Sequence, residues 1–261
     1  MENKGSNPEI HITHQHNGYA IRDVSLESGP GDCTQTLPVN EPTGNVAQVC
    51  GCTSADDFRN KLADPAALGL LAFGMTTLLF NISIADLCPI NTTTAGMVLC
   101  YGGGTQVLVG IMEFIRGNTF GCTLTTTFGA FWLATACMWV LPRQTEQTPD
   151  EYLVGADTVF SGAFFLMWAV FTFVMCASAL QQPLVIVLVI FTAALNFTLQ
   201  CISFWSGSQT LKRVAGFEGM FCGLTAIYSG LALTVNESYK GEFLPLLQHN
   251  RGRITLWKKS K

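Results

Sequence analysis

Six apolar stretches constrain this chain more than any other feature: residues 66–85, 94–115, 120–141, 159–180, 184–205 and 214–235. Each is about 20 residues long, enough for a helix to cross roughly 30 Å of hydrocarbon at 1.5 Å per residue. Strands of a membrane barrel would be about half as long and would alternate. Charge is partitioned to match. Charged residues make up 12% of the 261-residue chain, against about a quarter in an average soluble domain. They gather in residues 1–64, 142–156 and 236–261, leaving seven elsewhere. The expected fold class is all-α, a polytopic membrane protein with a bundle of six transmembrane helices over 65–236. Residues 1–64, rich in Asn, Gly, Ser, Pro and acids, show no sustained periodicity and are expected to form a disordered tail. Residues 237–261 are expected to form a basic tail. The net charge of −4 does not point to nucleic acid. No apolar stretch opens the chain, so no cleaved secretory signal is expected.

The connections orient the spans. Residues 116–119 and 181–183 read as tight turns, and 142–158 as the one sizeable loop. Six spans place both termini on one side. If that side is the cytoplasm, it collects eleven Lys and Arg residues, against three outside (Arg143, Lys212 and Arg213). The positive-inside rule favours this arrangement. The basic residues of 251–261 would add attraction to anionic lipid, about 1 kcal/mol each near the surface. Without an Arg-rich presequence, the plasma membrane is the expected location.

Polar residues recur on helix faces. Gly102, Gln106, Gly110 and Glu113 share one face of the second span, by helical spacing. That face must meet protein or water, because polar groups against lipid are costly. Two readings stand equally: a pore lining, or a close helix contact with Gln106 hydrogen-bonded across it. Phe73, Thr77 and Asn81 repeat the pattern in the first span, Thr192, Asn196 and Gln200 in the fifth, and Gly121, Thr125, Gly129 and Trp132 in the third. Such stripes in one small bundle converge most simply on an aqueous path. Ala215, Gly219 and Gly223 form a ladder of small residues suited to tight packing. Glu113, Asp157 and Glu218 fall near predicted span ends, and no acid or His lies at mid-depth, so a buried proton relay is not expected. Glu113 stands three residues before Arg116, where an end-of-helix ion pair is the plain expectation.

Other chemistries lack their residues. There is no HExxH, GxSxG, Walker A or paired intramembrane Asp, so no enzyme is expected. Gly102, Gly103 and Gly104 sit inside an apolar helix rather than after a strand, which argues against a phosphate loop. The spans hold no His for haem, and no cofactor is expected. Cys100, Cys122, Cys137, Cys176, Cys201 and Cys222 lie in apolar runs and read as small hydrophobes. Cys50 and Cys52 lack further ligands. His11, His14 and His16 lack a completing acid or Cys cluster, so no metal site is expected.

Residues Asp64-Pro65-Ala66-Ala67-Leu68-Gly69-Leu70 resemble the NPAPLGL signature of the acetate uptake transporter family, whose bacterial members are the succinate–acetate permeases, the YaaH proteins. Residues 102–121, GGGTQVLVGIMEFIRGNTFG, are similar to that family's GGxxQxxxGxxEFxxGNTFG block, which contains Glu113, Gly117 and Asn118. Residues 128–132, FGAFW, are similar to its YGxFW end, and residues 215–237 to its last span. The resemblance covers roughly 64–245. It implies a six-helix protomer, assembly as a homo-hexamer with one path per protomer, and passage of acetate and other small carboxylic acids, with protons as possible co-substrates. It also implies an apolar constriction of Phe, Tyr and Leu. These map onto Phe73, Phe128 and Ala193, the last by an ungapped count back from Ala215-Gly216. Two of the three depart from the family: Phe128 lacks the Tyr hydroxyl and Ala193 the bulk of Leu. Asp64 replaces the signature Asn and Ala67 the second Pro. A wider, less polar neck suits lactate- or propionate-sized acids.

A carboxylate entering such a path sheds water at a cost of several kcal/mol. Thr77, Asn81, Gln106 and Asn196 are the expected polar lining that replaces part of that shell, as in other selective pores. Glu113 is expected to support the turn before Gly117 and Asn118, with Asn118 capping the next helix. Two rivals remain: a path for ammonia or another uncharged solute, because the lining has no fixed positive charge, and a membrane sensor or scaffold acting through its tails.

Overall fold

The computed structural model describes residues 62–141, 155 and 157–247, together with the backbone of residues 11–16 and 19–23. The chain divides into two units, residues 1–62 and 63–261. In the first, β1 (His11–His16) pairs antiparallel with β2 (Tyr19–Asp23), His11 opposite Asp23 and His16 opposite Tyr19. This hairpin lies in the tail expected to lack regular structure. Most of that tail, Cys50 and Cys52 included, lies outside the described residues, as does the basic segment from 248 onward.

In the second unit every predicted span is helical. The helices are α1 (Ala66–Ile84), α2 (Thr92–Arg116), α3 (Thr119–Val140), α4 (Thr158–Ala179), α5 (Leu184–Ser206) and α6 (Gln209–Ser238). Their starts are written in short polar side chains. The Oδ1 atoms of Asp64, Asn91, Asn118 and Asp157, and the Ser208 hydroxyl, accept first-turn N–H groups of α1, α2, α3, α4 and α6. Each satisfies a donor the helix itself leaves free. The α2–α3 turn closes on Gly117 at φ 75°, where Asn118 N–H reaches Glu113 O and Gly117 N–H reaches Phe114 O. This pair of bonds is a Schellman motif, and Gly tolerates its left-handed residue.

Five of the helices, α1, α2, α4, α5 and α6, are long and apolar enough to cross a membrane. Helix α3 has 22 residues but is diluted by Thr123, Thr125, Thr126 and Thr127. The last helix departs most from expectation. It begins five residues before the apolar stretch, because the Ser208 cap admits Lys212 and Arg213 to its first turns. Within α2, Met97–Thr105 is wound as a π-helix, a local underwinding that changes which residues share a face.

The bundle turns large apolar side chains outward. Phe114, Phe160, Met167 and Val174 are each at least 66% exposed, on a surface that water would penalise and lipid would not. Inside, Phe131 packs against Trp132, Phe164, Trp168 and Phe197. Helices α1 and α6 meet closely at Gly74 and Gly223. A Cβ on either would lie 2.8 Å from the carbonyl oxygen of the other. The ladder expected on the sixth span is thus used for packing within the protomer.

Candidate functional site

A cavity of about 80 Å³ opens between α1, α2, α3 and α5. Its walls are mostly apolar, from Leu70, Leu124, Ile186 and Ile190, and its polar side chains include Gln106, Glu113 and Asn118. Phe73, Phe128 and Ala193 line it as well. The Phe73 and Phe128 rings stack with centroids 5.2 Å apart and planes 25° from parallel. Phe128 is held in turn by Phe171 and Phe197, at 6.0 and 6.1 Å. A second cavity of about 10 Å³, the space of roughly one water, is lined by Thr77, Asn81, Asn196 and Gln200. Phe73 and Ala193 line both cavities, so these two side chains sit where one space gives way to the other.

The structure brings together residues far apart in sequence. Phe73, Phe128 and Ala193, on α1, α3 and α5, line the larger cavity together. Thr77, Asn81 and Asn196 gather around the smaller cavity, and Gln106 belongs to the larger one. Asn81 donates to Thr77 O at 2.8 Å, Asn196 donates to Asn81 Oδ1 at 3.4 Å and to Ala215 O at 2.7 Å, and Gln200 donates to Asn196 Oδ1 at 3.0 Å. This chain ties α1, α5 and α6 together across buried space. Gly219 packs directly against the Asn81 and Asn196 side chains.

The second-span face makes close helix contacts, and Gln106 and Glu113 also border the larger cavity. Gly102 packs against Thr76 and Trp132, and Gly110 against Thr126. Gln106 faces the larger cavity and donates to Gly69 O at 3.5 Å. Glu113 is fully buried and accepts from Asn118 Nδ2 at 2.8 Å. Its expected ion pair with Arg116 does not form. Arg116 turns instead to Asp64, which also caps α1. Asn118 serves two elements, capping α3 through its oxygen and holding Glu113 through its nitrogen. Pro65 occupies the cap position of α1, and Gly69 lets Val109 and Thr125 approach.

Glu218 lies further from its helix start than the apolar stretch indicated. Because α6 starts at Gln209, this acid lies nine residues into the helix, roughly 14 Å from its start at 1.5 Å per residue. Both carboxyl oxygens are buried without a hydrogen-bond partner, and the Asn196 side chain faces them. The polar residues ahead of 214 hid the true helix start, and the Ser208 cap was the signal that marked it. Among the described residues no group of His, Cys, Asp and Glu could hold a metal ion.

The model of the GPR1/FUN34/yaaH family matches residues 51–245. The chain is 33% identical over 188 residues to the succinate-acetate/proton symporter SatP of Escherichia coli K12, covering 71% of this chain and 96% of that one. It is 29% identical over 178 residues to ammonia transport outward protein 2 of Saccharomyces cerevisiae, covering 66% of this chain and 62% of that one. The solved structure of the bacterial acetate channel SatP superposes with a TM-score of 0.66 at 33% identity, over 71% of this chain and 99% of that chain.

Proposed function

This chain belongs to the GPR1/FUN34/yaaH family, and on that premise we propose that it is a membrane channel or transporter for acetate and other short-chain monocarboxylates. The observation that carries the reading is the pair of cavities meeting at Phe73 and Ala193, with Phe128 stacked on Phe73. In this reading the three side chains form the constriction of the path. A small acid leaves the larger cavity, passes the apolar ring shorn of most of its water, and meets Thr77, Asn81 and Asn196 beyond it. Desolvation costs several kcal/mol for an anion, and the amides and hydroxyl offer partial replacement. The likeness to SatP, named for succinate, acetate and protons in one case and for acetate in the other, supports the cargo class.

The same proposal includes six spans, with α3 as the sixth, hexameric assembly with a path in each protomer, both termini in the cytoplasm and residence in the plasma membrane. The distribution of Lys and Arg supports the orientation. The outward apolar face of α2 and α4 supports burial against lipid or a neighbouring protomer. Proton coupling belongs to the proposal as well. A second reading, passage of ammonia, is favoured by the likeness to the ammonia transport outward protein.

Labelled-acetate uptake into liposomes containing the purified protein, with and without an inward proton gradient, tests the reading. Protein-dependent uptake is expected. Accumulation beyond that of protein-free liposomes under the same gradient identifies coupled carriage, and equilibration alone identifies a channel. No acetate flux, with protein-dependent ammonia flux, would overturn the acetate reading in favour of the second.

A further inference from the structure

We propose that the larger cavity takes its cargo as the undissociated carboxylic acid, whose O–H donates to Glu113 or Gln106. The inference rests on the transport reading and adds the chemical form that is recognised. It starts from the hydrogen-bond inventory of the cavity. Gln106 Oε1 and Glu113 Oε1 are both buried, both on residues that line the cavity, and neither has a donor. The two side chains are at most 2% exposed. Buried acceptors left open are costly and are normally filled.

Three of the four side-chain amide or hydroxyl donors on the lining are already committed, and the fourth, the Gln182 amide, makes no bond to either acceptor. Asn118 Nδ2 donates to Glu113 Oε2, the Thr125 hydroxyl to Gly121 O, and Gln106 Nε2 to Gly69 O. The charged groups acting on Glu113 are Asp64, ahead of α1, and Arg116, on α2, and these two pair with each other. The lining residues from α3 and α5 include no charged side chain, and no Lys, Arg or His lines the cavity. Beside an ionised Glu113, a carboxylate anion would bring two more acceptors to this place and set two like charges together with no proton between them. Groups that share a site in this way exclude double ionisation. A neutral acid supplies a donor for one of the two open acceptors.

The apolar walls and the volume fit the same ligand. They leave an anion without its hydration shell, while a cavity of about 80 Å³ exceeds the roughly 10–15 Å³ that one water needs. A four-heavy-atom acid therefore has room. Beyond Glu113 and Gln106, the acid meets the stacked rings of Phe73 and Phe128, which a neutral molecule passes without charge burial.

Competition in proteoliposomes carrying the full chain tests this. Labelled acetate uptake is measured with an excess of methanesulfonate, which has five heavy atoms, as propionate does, and is anionic at every working pH, or of acetamide, a neutral isostere of acetic acid with an N–H donor. Acetamide is expected to suppress uptake severalfold and methanesulfonate to leave it unchanged. At fixed total acetate, protein-dependent uptake is expected to fall about tenfold per pH unit above the acid's own pKa. Suppression by methanesulfonate equal to that by unlabelled acetate would overturn the inference while the transport reading stands. Absence of protein-dependent acetate uptake would remove the transport reading, and this inference with it. Glu113→Gln keeps an acceptor but removes the group that opposes an anion, so methanesulfonate should become a competitor. A folded variant that still excludes it would overturn the part given to Glu113. If the variant does not accumulate, the wild-type competition decides alone.

Discussion

The neck of the proposed path turns on a single small residue. Ala193 is 3% exposed and lines both cavities opposite Phe73. A Leu there would fill the space where they meet. Ala193→Leu is expected to slow propionate and lactate uptake about tenfold more than acetate uptake, the discrimination that one or two methylene-sized clashes provide. Parallel uptake assays of the three acids check this, and equal slowing would mean that Ala193 does not set the size limit. The family resemblance suggested Phe73 and Phe128 as neighbours in function. That their rings stack at 5.2 Å depends on how α1 and α3 are rotated, which no local pattern states. Likewise, the three-residue spacing of Glu113 and Arg116 allowed an ion pair. Asp64 won Arg116 because it stands at the start of α1, where that guanidinium emerges.

At the level of elements, the helices meet outside their spans as well as within them. Asp86, just past α1, pairs with Arg213 in the first turns of α6 at 2.7 Å. The hydrogen bond and charge of Arg213, aided by the charge of Lys212, hold the Asp86 carboxyl below its ordinary value of 3.8. A carboxyl lowered in the folded state contributes stability above its unfolded pKa and loses it as pH falls through the folded value. Both side chains are more than half exposed, so solvent screens the pair strongly. Asp86→Asn is therefore expected to leave thermal stability at neutral pH nearly unchanged. Its loss of stability should be less steep than that of wild type as pH falls from 5 towards 3. Melting curves of detergent-solubilised protein across that range check the sign, and a steeper acid loss in the variant would contradict it. Element boundaries followed legible caps in most places. The start of α6 did not follow hydropathy, because Lys212 and Arg213 interrupt the apolar pattern while their helix continues through them. That difference places Glu218 nine residues from its helix start rather than four from the start of the apolar stretch.

For the whole molecule, the described bundle from residue 63 onward contains both cavities, the aromatic neck and the buried amide network. Deleting residues 1–60 is accordingly expected to preserve acetate uptake in liposomes. Loss of uptake by a folded, membrane-inserted truncation would shift function towards the tail and favour a sensor or scaffold. The sequence by itself determined the helices, most of their caps and the resemblance to a transporter family. Each of these depends on residues close together: hydropathy summed over about 20 positions, or an Asn or Asp beside a helix start. Only the tertiary structure decided that Arg116 pairs with Asp64, 52 positions away, and Asn196 with Asn81, 115 positions away. Only it joined Phe73 and Ala193 at the meeting of two cavities and left two acceptors open in one of them. Hydropathy records how much each residue prefers to be buried, but the choice of partner depends on helix rotation and close packing across the bundle.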